Sequence, residues 1–481
     1  MCDRERGWSE VPVVKTWQLI AGSAVAGLAL SAAMVATAGP WDSGQRKAER
    51  DRAASRSRTG GADHAAGGLP QAAPSAPGVL PGLAPRANTG AAALAGALAP
   101  LLADPGLGTA RGASVVDVAT GQVLYESGAG DPMTPASTVK IATASAALAA
   151  LGPEHRIRTT VTPGAGPGEI VLVGGGDPSL TAKKKSPAGV GGSLVALAAD
   201  TAQALKAAGT DTVTLGYDDS LYTGAVLHPN PTGRVDNIAP VSALTADEGR
   251  LDDSTAGTAA RTDDPSKDTA RAFAALLRDR GVKVNGEPGK AKAPAGAQPL
   301  ATTYSTPLAG LVERMLTNSD NDIAEALARQ TAIAAGQPAS FEGAEKAVTD
   351  KLASLGLDLK GTRFADGSGL NGADKVTARL LTGLLAKAAD PRRPELRPVL
   401  TGLPVAGFTG TLSGRNAGSS PAAGLLRAKT GTLTGVNTLA GTVVDPSGRL
   451  VAFAFLAGNT ADKLPAEKGL DKLAAAVAGT P

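Results

Sequence analysis

The sequence predicts an α+β fold built on one antiparallel sheet to which both ends of the chain contribute. Three observations carry this. Two alternating apolar runs, ASVVDV and QVLYES, follow one another across Ala119-Thr120-Gly121, the pattern of a hairpin. Three strand-like runs, LLRAKTGTL, VNTLAGTVV and LVAFAFLAGN, succeed one another near the C-terminus as a meander. An Ala/Leu-rich helix stands outside each group, at 91–102 and at 465–479. A sheet must bury one face against another layer, so these pieces belong to one core and the middle of the chain reads as an insertion.

Composition narrows the function. The chain has 481 residues, 43% hydrophobic and 19% charged, enough for about three units of ordinary size. A formal charge of +3 is too small to make nucleic acid the expected partner. Cys2 is the single cysteine, so no internal disulfide or Cys-rich zinc knuckle can form. Histidine occurs at 64, 155 and 228 alone. His-rich metallopeptidase sites and a Ser-His-Asp triad are therefore disfavoured, and the base of any hydrolase here is expected to be another residue.

Taken in order, residues 1–18 read as a cytoplasmic N-terminus. Residues 19–38, LIAGSAVAGLALSAAMVATA, are 20 residues without a charge, long enough to cross a bilayer, and Trp17 and Trp41 bracket them as interfacial anchors. An uncleaved membrane anchor is expected; Ala36-Thr37-Ala38 also fits a signal cleavage site. Arg and Lys are denser after the stretch than before it, which opposes export, but that rule is weak for long downstream domains. Residues 39–90, rich in Ala, Gly, Pro, Ser and Arg, bury too little to fold and read as a disordered spacer. The main domain takes 91–156 and 301–481. STVKIATASAALAALG reads as a helix opening at Ser137 and closing on Gly152. The inserted domain, 157–300, shows strands in TTVTP, EIVLVGG and TVTLGYDDSLY and helices near 193–207 and 268–280. Helical stretches follow at 307–335 and 341–355, and Asp445-Pro446-Ser447-Gly448 turns the last two strands.

Three polar constellations interrupt this pattern. Ser137-Thr138-Val139-Lys140 places a hydroxyl and an amine three apart on one helix face. A lysine desolvated on an apolar helix has a lowered pKa and can act as a neutral base; the plainer reading is a capping serine and an exposed lysine. Ser319-Asp320-Asn321 falls between two helical runs, where a polar loop is unremarkable. Lys429-Thr430-Gly431-Thr432 lies in a strand, and a glycine there marks a bulge or the close approach of a ligand or backbone. Each tripeptide arises by chance about one time in ten, so the three in this order on helix, loop and strand are improbable as an accident.

S-x-x-K, S-D-N and K-T-G are the signature of serine β-lactamases and penicillin-binding proteins. LVGGGDPSL, APVSALTADEGR, FADGSGLN, LPVAGFTGTL and RAKTGTLTGV narrow the likeness. Over about 91–475 the chain resembles the low-molecular-mass class C penicillin-binding proteins, the D-alanyl-D-alanine carboxypeptidase/endopeptidase family. The resemblance implies a penicillin-binding transpeptidase-like domain with a large β-rich insertion, here shorter than in the best-known members. It implies cleavage of peptidoglycan stem peptides at D-Ala-D-Ala and covalent inhibition by β-lactams, without cofactor or metal. Ser137 would be the nucleophile and Lys140 its base. Ser319 would pass a proton to the leaving amine, and Asn321 would hold Lys140 and the substrate amide. Lys429 would supply positive potential, and Thr430 and Thr432, flanking Gly431, would bind the terminal carboxylate. Backbone N–H groups of Ser137 and Thr432 would form the oxyanion hole. With the anchor, the catalytic domain would be held outside the cell membrane, or secreted if cleaved after Ala38.

Two alternatives are weaker. A class A β-lactamase needs a deacylating Glu, and no E-x-x-L-N stretch supplies one; class C types put Tyr where Ser319 stands. A membrane-tethered wall-binding scaffold with a dead site would not need all five polar motif residues. Asp177, in Gly-Gly-Gly-Asp-Pro, reads as a turn residue.

Overall fold

The structure is a computed structural model that describes residues 90–184, 191–229 and 236–480. The apolar stretch 19–38 and the spacer lie outside the described residues, except Gly90, which already opens the first helix. Among the described residues no helix is long and apolar enough to cross a membrane.

After helix α1 (Gly90–Leu102) the chain forms the expected hairpin, β1 (Ala110–Asp117) and β2 (Val123–Ser127). A single 3-10 turn, Ala136–Val139, leads into α2 (Lys140–Leu151). The inserted segment follows: β3 (Arg158–Pro163), β4 (Glu169–Val173), α3 (Leu194–Ala207), β5 (Thr212–Asp218), α4 (Pro265–Arg278), β6 (Lys283–Lys290) and β7 (Ala301–Tyr304). Helices α5 (Leu308–Asn318), α6 (Asn321–Ala334), α7 (Phe341–Ser354) and α8 (Ala378–Ala389) return to the main body. It closes with β8 (Arg427–Leu433), β9 (Val436–Val444), β10 (Leu450–Gly458) and α9 (Lys463–Gly479).

The first sheet has the order β2-β1-β10-β9-β8 and is antiparallel throughout, so strands from the two ends pair at its centre, Ala110 opposite Gly458. It is covered on both faces. Val115, Leu439, Phe453 and Phe455 pack against α1 and α9; Ala440, Ala452, Ala454 and Leu456 face the core of α2, α5, α6 and α8. Burial on both sides is why β10 reads as an unbroken apolar run, while β9 adds Asn437, Thr438 and Thr442 as buried polar positions. Ser114, polar in this setting, is satisfied by Thr382 Oγ1 of α8 at 2.9 Å. The turn before β10 is built on Asp445, whose Oδ1 accepts from the N–H of Ser447 and of Arg449, both at 2.9 Å.

The second sheet has the order β6-β5-β4-β3-β7 and mixes both senses. The parallel neighbours β4·β5 and β5·β6 are joined through α3 and α4, since a parallel pair needs a long crossover. The two expected helices thus sit in one core with the sheet. Strand β7, assigned by sequence to the main domain, pairs with β3 of this sheet. Helix α8 went unread in the sequence, although Thr377 caps it through the Leu380 N–H and Leu380, Leu381, Leu384 and Leu385 give it a helical stripe.

Candidate active site

Pro135 and a left-handed Ala136, φ 48°, bend the chain just before Ser137, so the serine lies in the 3-10 turn and Lys140 is the first residue of α2. The expected helix start at Ser137 therefore moves three residues on. Ile141, Ala142, Thr143, Ala144 and Ser145 are all buried, and Lys140 has no exposed surface. The plain reading of an exposed lysine fails. Its Nζ lies 3.0 Å from Ser137 Oγ, 2.7 Å from Asn321 Oδ1 and 2.6 Å from the Ser368 carbonyl oxygen. Burial lowers its pKa to about 8, against the opposing pull of Asp366, Glu325, Asp320 and Asp374. The arrangement suits a proton acceptor near neutrality.

The second motif is a helix corner. Helix α5 ends in the left-handed Ser319, φ 59°, an unusual conformation for a residue with a side chain. Asp320 then caps α6 by accepting from the Ile323 N–H at 3.0 Å. This puts Asn321 on the first turn of α6, its Oδ1 on Lys140 and its Nδ2 donating to the Asn237 carbonyl at 3.0 Å. Thus motifs 181 residues apart share one amine.

The third motif lies on edge strand β8. Gly431 faces the Ser137 turn: a Cβ there would stand 2.2 Å from Thr438 Oγ1, 2.7 Å from the Pro135 carbonyl and 3.1 Å from Ser137 N. The glycine marks the approach of another backbone rather than a bulge. Lys429 is fully buried with Nζ on the Thr430 carbonyl at 2.8 Å; burial, with Lys140 and Arg415 nearby, holds its pKa well below the usual lysine value. A bound anion would reverse that bias. Thr430 Oγ1 meets Thr411 Oγ1 at 2.9 Å, and Thr432 is exposed. Strand alternation sets Thr430 and Thr432 on one face and Lys429 and Gly431 on the other, a separation the sequence reading did not make.

Sequence reasoning missed the wall behind Lys140. The FADGSGLN stretch, noted only as a point of likeness, is a tight turn whose Ser368 carbonyl holds Lys140. Glu325 Oε1 accepts from the N–H of Gly367 and Ser368 at 3.1 and 3.0 Å, and Asp366 accepts from Gly369 and Asn371 at 2.5 and 2.7 Å. A buried Glu in the helix after S-D-N was the signal available. Asp177 is a turn residue, accepting from the Ser179 N–H and hydroxyl, and burial raises its pKa to about 6.

Two groups of described residues gather metal-capable ligands, His228 with Glu325 and Asp366, and Glu248 with Asp320 and Asp322. The oxygens of the first already accept the backbone N–H groups above, and Arg329 pairs with Glu325 at 3.2 Å. The second is interleaved with Arg250, Arg261 and Arg314. Both are hydrogen-bonded ion clusters.

Similarity to known proteins follows this geometry. A carboxypeptidase of Mycobacterium tuberculosis is 37% identical over 357 residues, covering 72% of this chain and 76% of its own. Carboxypeptidase DacB of Mycolicibacterium smegmatis is 38% identical over 380 residues, covering 77% and 81%. Penicillin-binding protein 4 of Haemophilus influenzae, also solved in complex with a β-lactam, shares the fold at a TM-score of 0.65 and 24% identity, covering 80% of this chain and 97% of its own. The D-Ala-D-Ala carboxypeptidase 3 (S13) family model matches residues 94–260 and 252–477, a span that holds all three motifs, the inserted sheet and the closing meander, and the chain belongs to that family of serine peptidases.

Proposed function

We propose that the protein is a serine D-Ala-D-Ala carboxypeptidase, with DD-endopeptidase action as a second use of the same site, trimming peptidoglycan stem peptides through a Ser137 acyl-enzyme. The observation that carries the reading is the fully buried Lys140 amine, 3.0 Å from the Ser137 hydroxyl and bonded to Asn321. Ser137 Oγ attacks the carbonyl of the penultimate D-Ala while Lys140 takes its proton. Ser319 passes a proton to the amine of the departing D-Ala, and Asn321 steers Lys140 and the substrate amide. The N–H groups of Ser137 and Thr432 receive the oxyanion, supported by the close seating of β8 on the Ser137 turn that Gly431 permits. Thr430 and Thr432 take the terminal carboxylate, Lys429 supplies positive potential from the other face of β8, and water then releases the peptide.

The same chemistry makes Ser137 a target for β-lactams, as the complex of the Haemophilus protein supports by fold. The apolar stretch 19–38 would tether the catalytic domain to the outer face of the cell membrane, or be lost by cleavage after Ala38. The test is labelling with a fluorescent penicillin together with release of D-Ala from a D-Ala-D-Ala peptide. The parent protein should do both and Ser137→Ala neither while remaining folded. A folded Ser137→Ala protein that still labels would remove the nucleophile, and a parent that never labels would leave an inert scaffold.

A further inference from the structure

We propose that His228, supplied by the inserted segment between β5 and α4, is a positioning residue for acylation: by pairing with Asp366 it holds the 366–371 turn whose Ser368 carbonyl orients the Lys140 amine. This rests on the reading of Lys140 as the acylation base. His228 Nε2 lies 2.8 Å from Asp366 Oδ2 and 3.6 Å from Glu325 Oε1, and its side chain is 3% exposed. Its ring stands edge-on to Phe341 of α7, centroids 5.5 Å apart. Both carboxylates it touches are those that bind the N–H groups of residues 367, 368, 369 and 371, so the imidazole sits on the anchors of the turn.

The charges around the pair explain why a histidine serves here. Glu325 and Arg329 face it from α6, Asp366 and Asp374 from the turn, and Tyr222 lies near Arg329 from the inserted segment. Arg329 compensates Glu325, while Asp366 depends on His228. Burial disfavours the imidazolium, but the hydrogen bond to Asp366 and the charges of Asp366 and Glu325 outweigh it and raise the His228 pKa to about 9. Lys140 feels Asp366, Glu325 and Asp320 as anions that hold a proton on it, while burial and Asp366 hold Asp374 towards its neutral form and burial does the same for Lys429. A protonated His228 offsets two of those anions. It thereby keeps Lys140 free to shed its proton, besides fixing the carbonyl that aims it.

The experiment measures the second-order rate of penicillin acylation from pH 6 to 10 in the parent protein, His228→Gln and His228→Lys. His228→Gln should lose at least tenfold at pH 7, its rising limb displaced by about one pH unit and its alkaline plateau still below the parent's, because the Ser368 carbonyl is no longer held. His228→Lys, which keeps the cation, should recover most of the loss. An unchanged rate and limb overturns the proposal, and so does an equal loss at every pH, the mark of a merely structural role. Melting temperature is recorded for each variant. If the His228 variants do not fold, Asp366→Asn breaks the same pair from the other side; it should lower the alkaline plateau by releasing the turn while its rising limb moves to lower pH as an anion beside Lys140 is lost, and a folded Asp366→Asn protein with parental plateau and limb overturns the proposal. Ser137→Ala separates the two readings: if it is dark while His228→Gln labels like the parent, the nucleophile stands and only the role of His228 falls.

Discussion

The two sheets of the described residues do different work with the same number of strands, five each. The first is antiparallel, sealed between helical layers, and each motif residue is on it or on elements packed against it. The second is mixed, and its edge strand β6 is largely exposed. It carries none of the three motifs, yet loops of its segment deliver the Asn237 carbonyl to Asn321, His228 to Asp366, and Arg261 to Asp322 at 3.0 Å. The difference teaches that the proposed reacting groups lie in the region buried on both faces, while the insertion contributes bonds and charge from behind. Substitutions should therefore be felt unequally in the two regions.

The largest effect is expected from glycines. Gly431→Ala would drive a Cβ into Thr438 Oγ1 and the Pro135 carbonyl, displacing β8 from the Ser137 turn. Misplacement of about 1 Å costs on the order of a hundredfold in rate, so acylation should fall at least that far. Gly289→Ala, in β6 of the second sheet, meets nothing within 4 Å and should leave acylation within twofold of the parent. Equal effects at the two glycines would erase the contrast between the sheets.

Next in size is the response to pH. Only neutral Lys140 can take the serine proton, and its pKa of about 8 lies below that of a free lysine because it is buried. Below pH 8 the neutral fraction rises tenfold per unit, so acylation should climb about tenfold from pH 6 to 7 and flatten above 8. A profile flat from pH 6 to 8 would mean that Lys140 is not the base. A variant of the exposed Lys290 on β6 should leave the profile unchanged.

Smaller again is the carboxylate preference of β8. A charge-assisted bond contributes roughly 1.5 to 3 kcal/mol, so removing one costs on the order of ten- to a hundredfold in turnover. A D-Ala-D-Ala peptide with a free C-terminus should be cleaved far better than its C-terminal amide, and Thr432→Val should remove most of that difference while Ser137 still acylates. Acid and amide cleaved equally by the parent would move the carboxylate site off this strand.

How much of this was legible in the sequence follows from the same division. The hairpin, the meander and the motifs stood out because polar residues interrupt apolar periodicity in a sheet buried on both faces. Strand β6, KVNGEPGK, has no such alternation; parallel pairing with β5 makes it a strand. The left-handed turns at Ala136 and Ser319 are backbone events, and neither residue type announces them. His228, Glu325 and Asp366 are single polar residues up to 138 positions apart, and only the folded chain brings them behind Lys140.

The smallest expected effect compares one chemistry in both regions. Arg415 forks onto Asp471 of α9 at 2.8 and 3.1 Å, with side chains 15% and 21% exposed, and Asn416 Nδ2 adds a third bond to the same carboxylate at 3.2 Å. Arg271 reaches Glu287 at 2.8 Å from α4 to β6, but those side chains are 49% and 70% exposed. Water screens the second pair, and exposed ion pairs contribute about 0 to 1 kcal/mol. The first pins α9, which covers one face of the main sheet, and a charged hydrogen bond in such a setting contributes roughly 1.5 to 3 kcal/mol. Urea unfolding should therefore show Arg415→Ala destabilised by about 2 kcal/mol, with Arg271→Ala unfolding at the parent's midpoint. Equal losses would mean that burial of the main sheet does not extend to its helical cover, and the contrast would then be confined to the strands themselves.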